Sequence, residues 1–409
     1  MGAKDNSRLS LLRWLCLAPI PILWCVIAHY GWLDFLENKF LDWRFRYRGE
    51  IAAPVKVNYI DIDPTSIDEI GGWPWDRANF HKVTKALIEQ GGVKAIGIDS
   101  VLSELGISEV ADRAKIKEGN KAFGRFLRGK PPAMQEPPVV LAGSFAAENY
   151  RDVRGISTKR RLPLIIGEDR KLDDIEPPEL SSFDIGGKFP FNPPHVAIID
   201  TLNGGTRWVP LIAPTMVQTY RHMSLELVRL YLGVPREGVL VHDDDIELVT
   251  TDGRTVARIP LFKKQHLEIN WHSAWLSPLN PRTSFSVVLN NAEMLNSADP
   301  DENKRAEEQK TARAFFAQSD WKDSIVLIGP TDTLLQDLGT APFDNEPVPK
   351  VGVHGNLVKT IISGNYLHRF PSWHGIGWFD FLIILTLTPL VASLAVTGGV
   401  RGVLWKVAA

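Results

Sequence analysis

The sequence has few cysteines and no excess of charge of either sign. Only two of its 409 residues are cysteine, Cys16 and Cys25, and both lie in the first hydrophobic segment, which excludes a disulfide framework for the rest of the chain. Lysine and arginine total 46 against 48 aspartates and glutamates, so the formal net charge is -2. This balance gives no indication of nucleic-acid binding, and the length is sufficient for at least one large domain with a real core.

Catalytic and metal-binding signatures are also missing from the sequence. It has no Gly-x-Gly-x-x-Gly, no Gly-x-x-x-x-Gly-Lys-Ser/Thr, no His-Glu-x-x-His and no Gly-x-Ser-x-Gly. No nucleophile stands beside a plausible base along the chain, and no internal repeat of fixed period is present. We therefore predict no catalytic residue, no metal ligand and no cofactor in these 409 residues.

Two long apolar segments are present, at residues 11–33 and 376–400. Each is near the roughly 20 residues that a membrane-spanning helix needs. Basic residues precede the first segment and follow the second. The positive-inside rule therefore predicts that the N-terminal end of the first segment and the C-terminal end of the second face the cytoplasm. The alternative for the first segment is a cleaved signal peptide, with Val26-Ile27-Ala28 as the cleavage site.

This topology divides the chain into five parts. Residues 1–10 form a cytoplasmic N-terminus, residues 34–370 form an extracytoplasmic domain between the two spans, and residues 401–409 are a cytoplasmic segment or the start of a further membrane hairpin. Apolar residues at helical spacing, Leu36, Phe40 and Trp43, predict that the first helix continues outward and ends at Gly49.

The segment from Val57 to Asp99 has the pattern of a βαβ unit. A short β-branched run, residues 57–62, is followed by a tryptophan-rich loop, a helical pattern that ends at Gly91-Gly92, and a second apolar run at residues 95–98. Two parallel strands would place Asp61, Asp63 and Asp99 at one edge of the sheet, where open α/β sheets usually bind ligands.

Other runs complete the predicted fold class. Residues 139–144, 195–200 and 324–330 have the apolar pattern of buried strands, and residues 239–260 have that of a small antiparallel meander. Asn203-Gly204 between two such runs predicts a hairpin. We predict an α/β fold with a largely parallel central sheet, flanking helices and a β-rich antiparallel insertion, framed by transmembrane helices.

Each candidate ligand-binding residue also has a structural alternative. Asp61, Asp63 and Asp99 could bind a cation or an amine, or Asp63 could cap the turn before the following helix. Trp73 and Trp75 could stack on a ligand, or form a packing lid at the start of a helix.

Three further features carry the same ambiguity. Asp76 fits the N-cap of that helix. Arg77 is its first residue and could either bind a ligand or have a structural role. His354, near the Asp332 and Asp337 loop, could be a pH-sensitive group, a ligand contact or a histidine that braces the loop. Three consecutive aspartates at 243–245 favour a solvated turn over a metal site, because metal loops space their ligands.

Taken together, these segments resemble the CHASE2 family, the extracytoplasmic sensor domains of bacterial signalling receptors, over about residues 36–369. The matching residues are Asp42, Arg44-Phe45-Arg46, Arg48-Gly49, Ile60-Asp61-Ile62-Asp63, Gly72-Trp73-Pro74-Trp75-Asp76-Arg77, Ala95-Ile96-Gly97-Ile98-Asp99, Asp200, Asn203-Gly204, Arg207, Pro210-Leu211, Ile328-Gly329, Asp337, Thr340, Pro342, Gly352-Val353-His354-Gly355-Asn356 and Gly364-Asn365-Tyr366-Leu367. Two positions depart from the family pattern, which usually has Asp-Gly at 203–204 and Ala at 355.

The resemblance implies a function and a location. CHASE2 receptors have one membrane helix before the sensor and several after it, followed by a cytoplasmic output such as an adenylate cyclase, a kinase or a diguanylate cyclase. We therefore expect a multi-pass protein of the bacterial inner membrane that senses an unidentified small-molecule or protein stimulus, forms a homodimer and contacts no nucleic acid. No output domain occurs within the 409 residues, so whether the full receptor is an enzyme stays open.

Two hypotheses of other classes stand beside the sensor. A structural membrane protein would use its outward-facing domain for assembly and bind no ligand. An outward-facing enzyme would use the aspartates at the sheet edge, and it would lose turnover on Asp61→Asn or Asp99→Asn.

Overall fold

The computed structural model describes residues 34–368 except 72, 103–112, 130–135, 146–149, 152–156, 159–176, 202–206, 216, 263, 319 and 336, together with residues 26, 372–373, 376–377 and 386. The chain divides into two compact units, Gly49–Leu367 and a second unit that combines Met1–Arg48 with His368–Ala409. The larger unit contains every predicted ligand-binding residue.

In the smaller unit, helix α1 (Asp34–Arg48) confirms the helix predicted to end at Gly49. Phe40, Trp43 and Tyr47 are exposed on it, and the rings of Trp43 and Tyr47 stack with centroids 5.6 Å apart. Two short antiparallel strands, Ser372–Trp373 and Ile376–Gly377, also lie in this unit, so the second predicted span does not begin as a helix at residue 376.

The structure leaves the predicted membrane spans open. Among the helices of the described residues, none combines the length and the apolar character needed to cross a bilayer. Residues 11–33 lie outside the described part of the chain except for Val26, and so do residues 376–400 except for Ile376, Gly377 and Thr386.

The larger unit is built on a mostly parallel sheet, as the sequence predicts. Six parallel strands lie in the order β15 (Arg282–Ser284), β1 (Val57–Ile62), β16 (Ile325–Pro330), β2 (Ala95–Ile98), β3 (Val139–Ser144) and β7 (Val196–Ile198). A short strand, β6 (Glu179–Leu180), pairs antiparallel with β3. The strands are short, apolar and almost completely buried, which is typical of a parallel sheet covered on both faces.

Strand β16 separates the two strands of the predicted βαβ unit. Asp61 of β1 is paired in register with Gly329 of β16, and Ile328 of β16 is paired with Ile98 of β2. The two strands are parallel as predicted, but they are second neighbours. Asp61 and Asp99 therefore lie at the same edge of the sheet, with one strand between them.

Helices cover both faces of this sheet. The helices of the larger unit are α2 (Pro64–Ile70), α3 (Arg77–Glu89), α4 (Arg113–Arg128), α5 (Met223–Tyr231), α6 (Phe285–Met294), α7 (Glu302–Phe316) and α8 (Val351–Ser363). Side chains that alternate along β1 point to opposite faces: Ile60 and Ile62 join the core beneath α3, α6 and α7, whereas Tyr59 lies against α8 at Gly355. The fold is a three-layer α/β/α arrangement.

Antiparallel pieces surround the sheet. The predicted meander is confirmed as β11 (Val239–Val241), β12 (Asp245–Val249) and β13 (Thr255–Pro260), and four more pairs are β4 (Tyr150–Arg151) with β5 (Ser157–Thr158), β8 (Trp208–Pro210) with β14 (His266–Glu268), β9 (Ile212–Pro214) with β10 (Thr219–Arg221), and β17 (Leu338–Gly339) with β18 (Val348–Pro349).

The hairpin predicted around Asn203-Gly204 is wrong. Strand β7 joins the central sheet beside β3, while β8 pairs with β14. The apolar run of β7 is suited equally to a hairpin strand and to a buried parallel strand. In the structure it pairs with β3 at the side of the central sheet.

Candidate functional site

Acidic side chains gather where the parallel strands end. We call this set the carboxylate edge; it consists of Asp61, Asp63, Asp99, Asp200 and Asp332, each at or within two residues of the C-terminal end of its strand. Since all six parallel strands run in the same direction, these residues lie at one edge of the sheet. The structure thus brings together the three aspartates predicted from the sequence and adds two more.

Asp61 is held by a permanent cation from the neighbouring strand. Arg282 of β15 donates to Asp61 Oδ2 through Nη2 at 2.7 Å and through Nε at 2.9 Å. The guanidinium also lies 4.1 Å from the ring centroid of Trp275, a distance at which cation–π attraction adds to the ion pair. Burial raises the pKa of Asp61, and Arg282 acts against this rise.

Asp63 has the structural role that was its alternative in the sequence. Its Oδ1 accepts the backbone N–H of Ser66 at 2.9 Å and so caps the N-terminus of α2, and its Oδ2 accepts the hydroxyl of Ser284. Although burial opposes it, these hydrogen bonds hold the pKa of Asp63 below its usual value. The carboxylate is therefore occupied by the fold itself.

Asp99 and His354 meet inside the protein. His354 Nε2 lies 3.4 Å from Asp99 Oδ1, and the two side chains are each 1% exposed. The ring of His222, the N-cap residue of α5, lies 5.1 Å from the ring of His354. Three separate elements, β2, α5 and α8, thus contribute one ionisable side chain each. We call these three residues the histidine–aspartate cluster.

The protonation states in this cluster follow from its surroundings. Although burial acts to lower it, the Asp99 carboxylate raises the pKa of His354. Burial and the adjacent His354 lower the pKa of His222 well below its usual value. His222 Nδ1 accepts the N–H of Ser224 at 3.2 Å, so that nitrogen carries no proton. Of the two histidine rings, that of His354 is therefore the more readily protonated.

Asp200 also belongs to the edge and was not among the predicted binding residues. Its carboxylate accepts the N–H of Phe145 and the hydroxyl of Ser144 at 3.0 Å each, and burial raises its pKa to about 6. The rule that selects Asp61 and Asp99, an acidic residue that ends a buried run, selects Asp200 as well. Arg282 and His222, in contrast, stand in no motif that would identify them from the sequence.

Trp73, Trp75 and Arg77 lie in a packed corner at the start of α3. The indole of Trp75 lies 5.1 Å from that of Trp73 and 4.8 Å from the ring of Phe285. Trp75 is buried and belongs to the main core cluster, against which Trp73 packs. The structure thus supports the packing alternative for both tryptophans.

Arg77 is buried in the same corner. Its Nη1 donates to Asn120 Oδ1 at 2.7 Å and to the backbone carbonyl of Ser182 at 2.6 Å. Asp76 caps the helix by accepting the N–H of Ala78, as its sequence position predicts. These contacts join α3 to α4 and to the segment after β6, which is a structural role for Arg77.

The acidic turn at residues 243–245 is largely exposed. His242, Asp245 and Glu247 each bring one potential metal ligand within 4.8 Å of the others, beside an open surface cavity of about 440 Å³. Arg258 forms ion pairs with both carboxylates, at 3.7 Å from Asp245 Oδ2 and closer to Glu247. The single positive charge of Arg258 offsets one of these two carboxylates, and residues 242–244 are exposed, as expected for a solvated turn.

Comparison with known proteins gives one match. The family model described as the CHASE2 domain matches residues 20–393, which is nearly the whole chain. No curated protein matches significantly. No solved structure does either.

Proposed function

Because the chain belongs to the CHASE2 domain family, a family of sensor domains in signalling receptors, we propose that residues 49–367 receive a stimulus outside the cytoplasm of a bacterial cell. The family match carries this proposal. It begins within the apolar segment at 11–33 and ends within that at 376–400, so it takes in the domain together with its predicted membrane flanks.

The rest of the receptor is part of the same proposal. The stimulus acts on the domain, and the signal is relayed through the predicted membrane spans at 11–33 and 376–400. The receiving partner is a cytoplasmic output domain such as an adenylate cyclase, a kinase or a diguanylate cyclase. The protein is then a multi-pass protein of the inner membrane.

We also propose that the receptor acts as a homodimer, and α1 supports this part. Phe40, Trp43 and Tyr47 are exposed and follow the alternating three- and four-residue spacing of a coiled-coil face. In a background with Cys16 and Cys25 replaced by serine, the Trp43→Cys variant should form an intermolecular disulfide in membranes. A cysteine at Asp42, on a different side of the helix, should not; equal crosslinking at both positions would contradict this interface.

Cysteine accessibility tests the proposed topology. In the same background, Val217→Cys places a thiol at an exposed position of the large unit, and Ser7→Cys places one in the predicted cytoplasmic N-terminus. A membrane-impermeant maleimide should label the cysteine at 217 in intact cells with a permeabilised outer membrane. The cysteine at 7 should react only after lysis. Labelling at 217 that requires lysis would overturn the sensor topology.

A further inference from the structure

The histidine–aspartate cluster is enclosed and yet incompletely hydrogen bonded. Asp99 is 3% exposed, His354 is 1% exposed and His222 is not exposed at all. Within the described residues, both carboxylate oxygens of Asp99, Nδ1 of His354 and Nε2 of His222 have no hydrogen-bond partner. A buried carboxylate held by few hydrogen bonds depends strongly on a nearby cation. The only side chain in the cluster suited to supply it is His354.

Among the residues that the structure describes, the wider surroundings of His354 provide no other strong counter-charge for Asp99. The charged groups nearby are Asp337, from the loop before β17, and Lys350, just before α8, and these two form an ion pair with each other at 2.9 Å. Tyr59 of β1, which packs on Gly355, has its pKa raised by burial and stays neutral. The charge balance around Asp99 therefore follows the protonation of His354.

We propose that the histidine–aspartate cluster is a proton-binding site, through which the domain responds to extracytoplasmic pH. Protonated His354 pairs with Asp99 and holds the start of α8 against the end of β2 and the start of α5. Loss of the proton leaves the Asp99 carboxylate buried beside two neutral rings, which favours loosening of α8. Helix α8 is the last helix of the domain, and residues 364–375 join it to the predicted span at 376–400. The inference rests on the proposed sensor function and names the stimulus as the proton.

The direction of the pH response follows from the raised pKa. The usual pKa of histidine is 6.5, and folding raises that of His354 above it. The stability that the charged ring contributes is complete below about pH 6.5 and is lost as pH rises through the pKa of the folded state. The His354–Asp99 pair should hence hold α8 most tightly at mildly acidic pH and release it on the alkaline side.

Hydrogen exchange of the full chain in detergent, between pH 6.5 and pH 9, tests the proposal. After correction for intrinsic exchange, amides of 351–363 in the wild type should lose protection as pH rises, by about tenfold for each unit by which folding raises the pKa of His354. His354→Gln and Asp99→Asn should each abolish this pH step. His195→Gln is the control, since burial lowers the pKa of His195 to about 4 and it does not titrate in this range.

A second titrating group in α8 has the opposite sign. Burial lowers the pKa of Lys359 to about 8, so its titration makes the fold more stable as pH rises. A wild type whose protection at 351–363 changes with pH in the same way as that of the folded His354→Gln and Asp99→Asn variants, which retain Lys359, would overturn the proton site. If only one variant folds, that variant decides. The two proposals can fail separately. If α8 shows the pH step but the cysteine at 217 reacts with the maleimide only after lysis, the sensor topology is refuted and the proton site is retained.

Discussion

Two aspartates at one edge of one sheet are neutralised in different ways. Asp61 at the end of β1 pairs with Arg282 at 2.7 Å, and the guanidinium remains 25% exposed against the face of Trp275. Asp99 at the end of β2 faces His354 at 3.4 Å, with both side chains closed off from solvent. Arginine keeps its charge at every physiological pH, whereas histidine loses it near neutrality.

The difference shows that position in the fold does not by itself define a role. The sequence rule treats Asp61 and Asp99 as equivalent because each ends a buried parallel strand. The partner from a distant part of the chain makes one of them a fixed ion pair and the other a titratable one. Variants that change the partners, and not the aspartates alone, separate the two roles.

Arg282→Met should have the largest effect. It leaves the Asp61 carboxylate buried without a cation, and removing one partner of a buried pair costs on the order of 3 kcal/mol. Urea denaturation of the full chain in detergent would measure this loss at pH 7. The loss should shrink toward pH 4, since burial already raises the pKa of Asp61 and a protonated carboxyl needs no cation.

The double variant Asp61→Asn with Arg282→Met is the control. It removes both charges and should recover part of the stability. A penalty that is equal at pH 7 and pH 4 would show that Arg282 acts through its packing on Trp275 and not through its charge.

Gly355→Ala should have a smaller effect, and it affects both regions. A Cβ at 355 would collide with the hydroxyl of Tyr59, which lies on β1 between α8 and the sheet, while the adjacent residue is His354. Overpacking of this kind costs about 2 kcal/mol. Thermal unfolding of the full chain should show the loss.

Tyr59→Phe provides the matched test. The Tyr59 hydroxyl is buried without a partner among the described residues, so Tyr59→Phe alone should cost little. In the Gly355→Ala background it should restore part of the lost stability. Strictly additive effects of the two substitutions would argue against the contact.

Asp63→Ala should have the smallest effect, about 1 kcal/mol at pH 7, because it removes the N-cap of α2. Hydrogen bonds depress the pKa of Asp63, so its contribution is present above about pH 3.8 and is lost as pH falls through the lower pKa of the folded state. Asp63→Asn keeps a cap acceptor and should cost less. Denaturation at pH 7 and pH 3 would reveal the acid-side dependence, which is opposite in direction to that of His354.

The sequence predicts the individual strands and helices of the fold more completely than it predicts which strands lie next to each other. The strands at 57–62, 95–98, 139–144 and 325–330, the meander and the caps at Asp63 and Asp76 agree with the structure. Each depends on local periodicity or on a hydrogen bond within a few residues. The insertion of β16 between β1 and β2, and the pairing of β8 with β14, join segments far apart in the chain and leave no local pattern.

The same division applies to the candidate site. Strand ends alone place Asp61, Asp63 and Asp99 at one edge, because side chains that follow parallel strands must emerge together. Trp73, Trp75 and Arg77 follow them in a conspicuous motif, yet tertiary packing directs those three side chains into the core and the contacts of α3.

By itself, the sequence determined the family, the parallel α/β architecture and the acidic edge. Apolar periodicity and the positions of turn residues can be recognised within short stretches of sequence. Only the tertiary structure decided that Arg282 binds Asp61, that Asp63 caps a helix, and that His354 and His222 close on Asp99. Those contacts span between three and more than two hundred residues of chain. What the longer ones do depends on burial and charge that exist only once the helices have packed on the sheet.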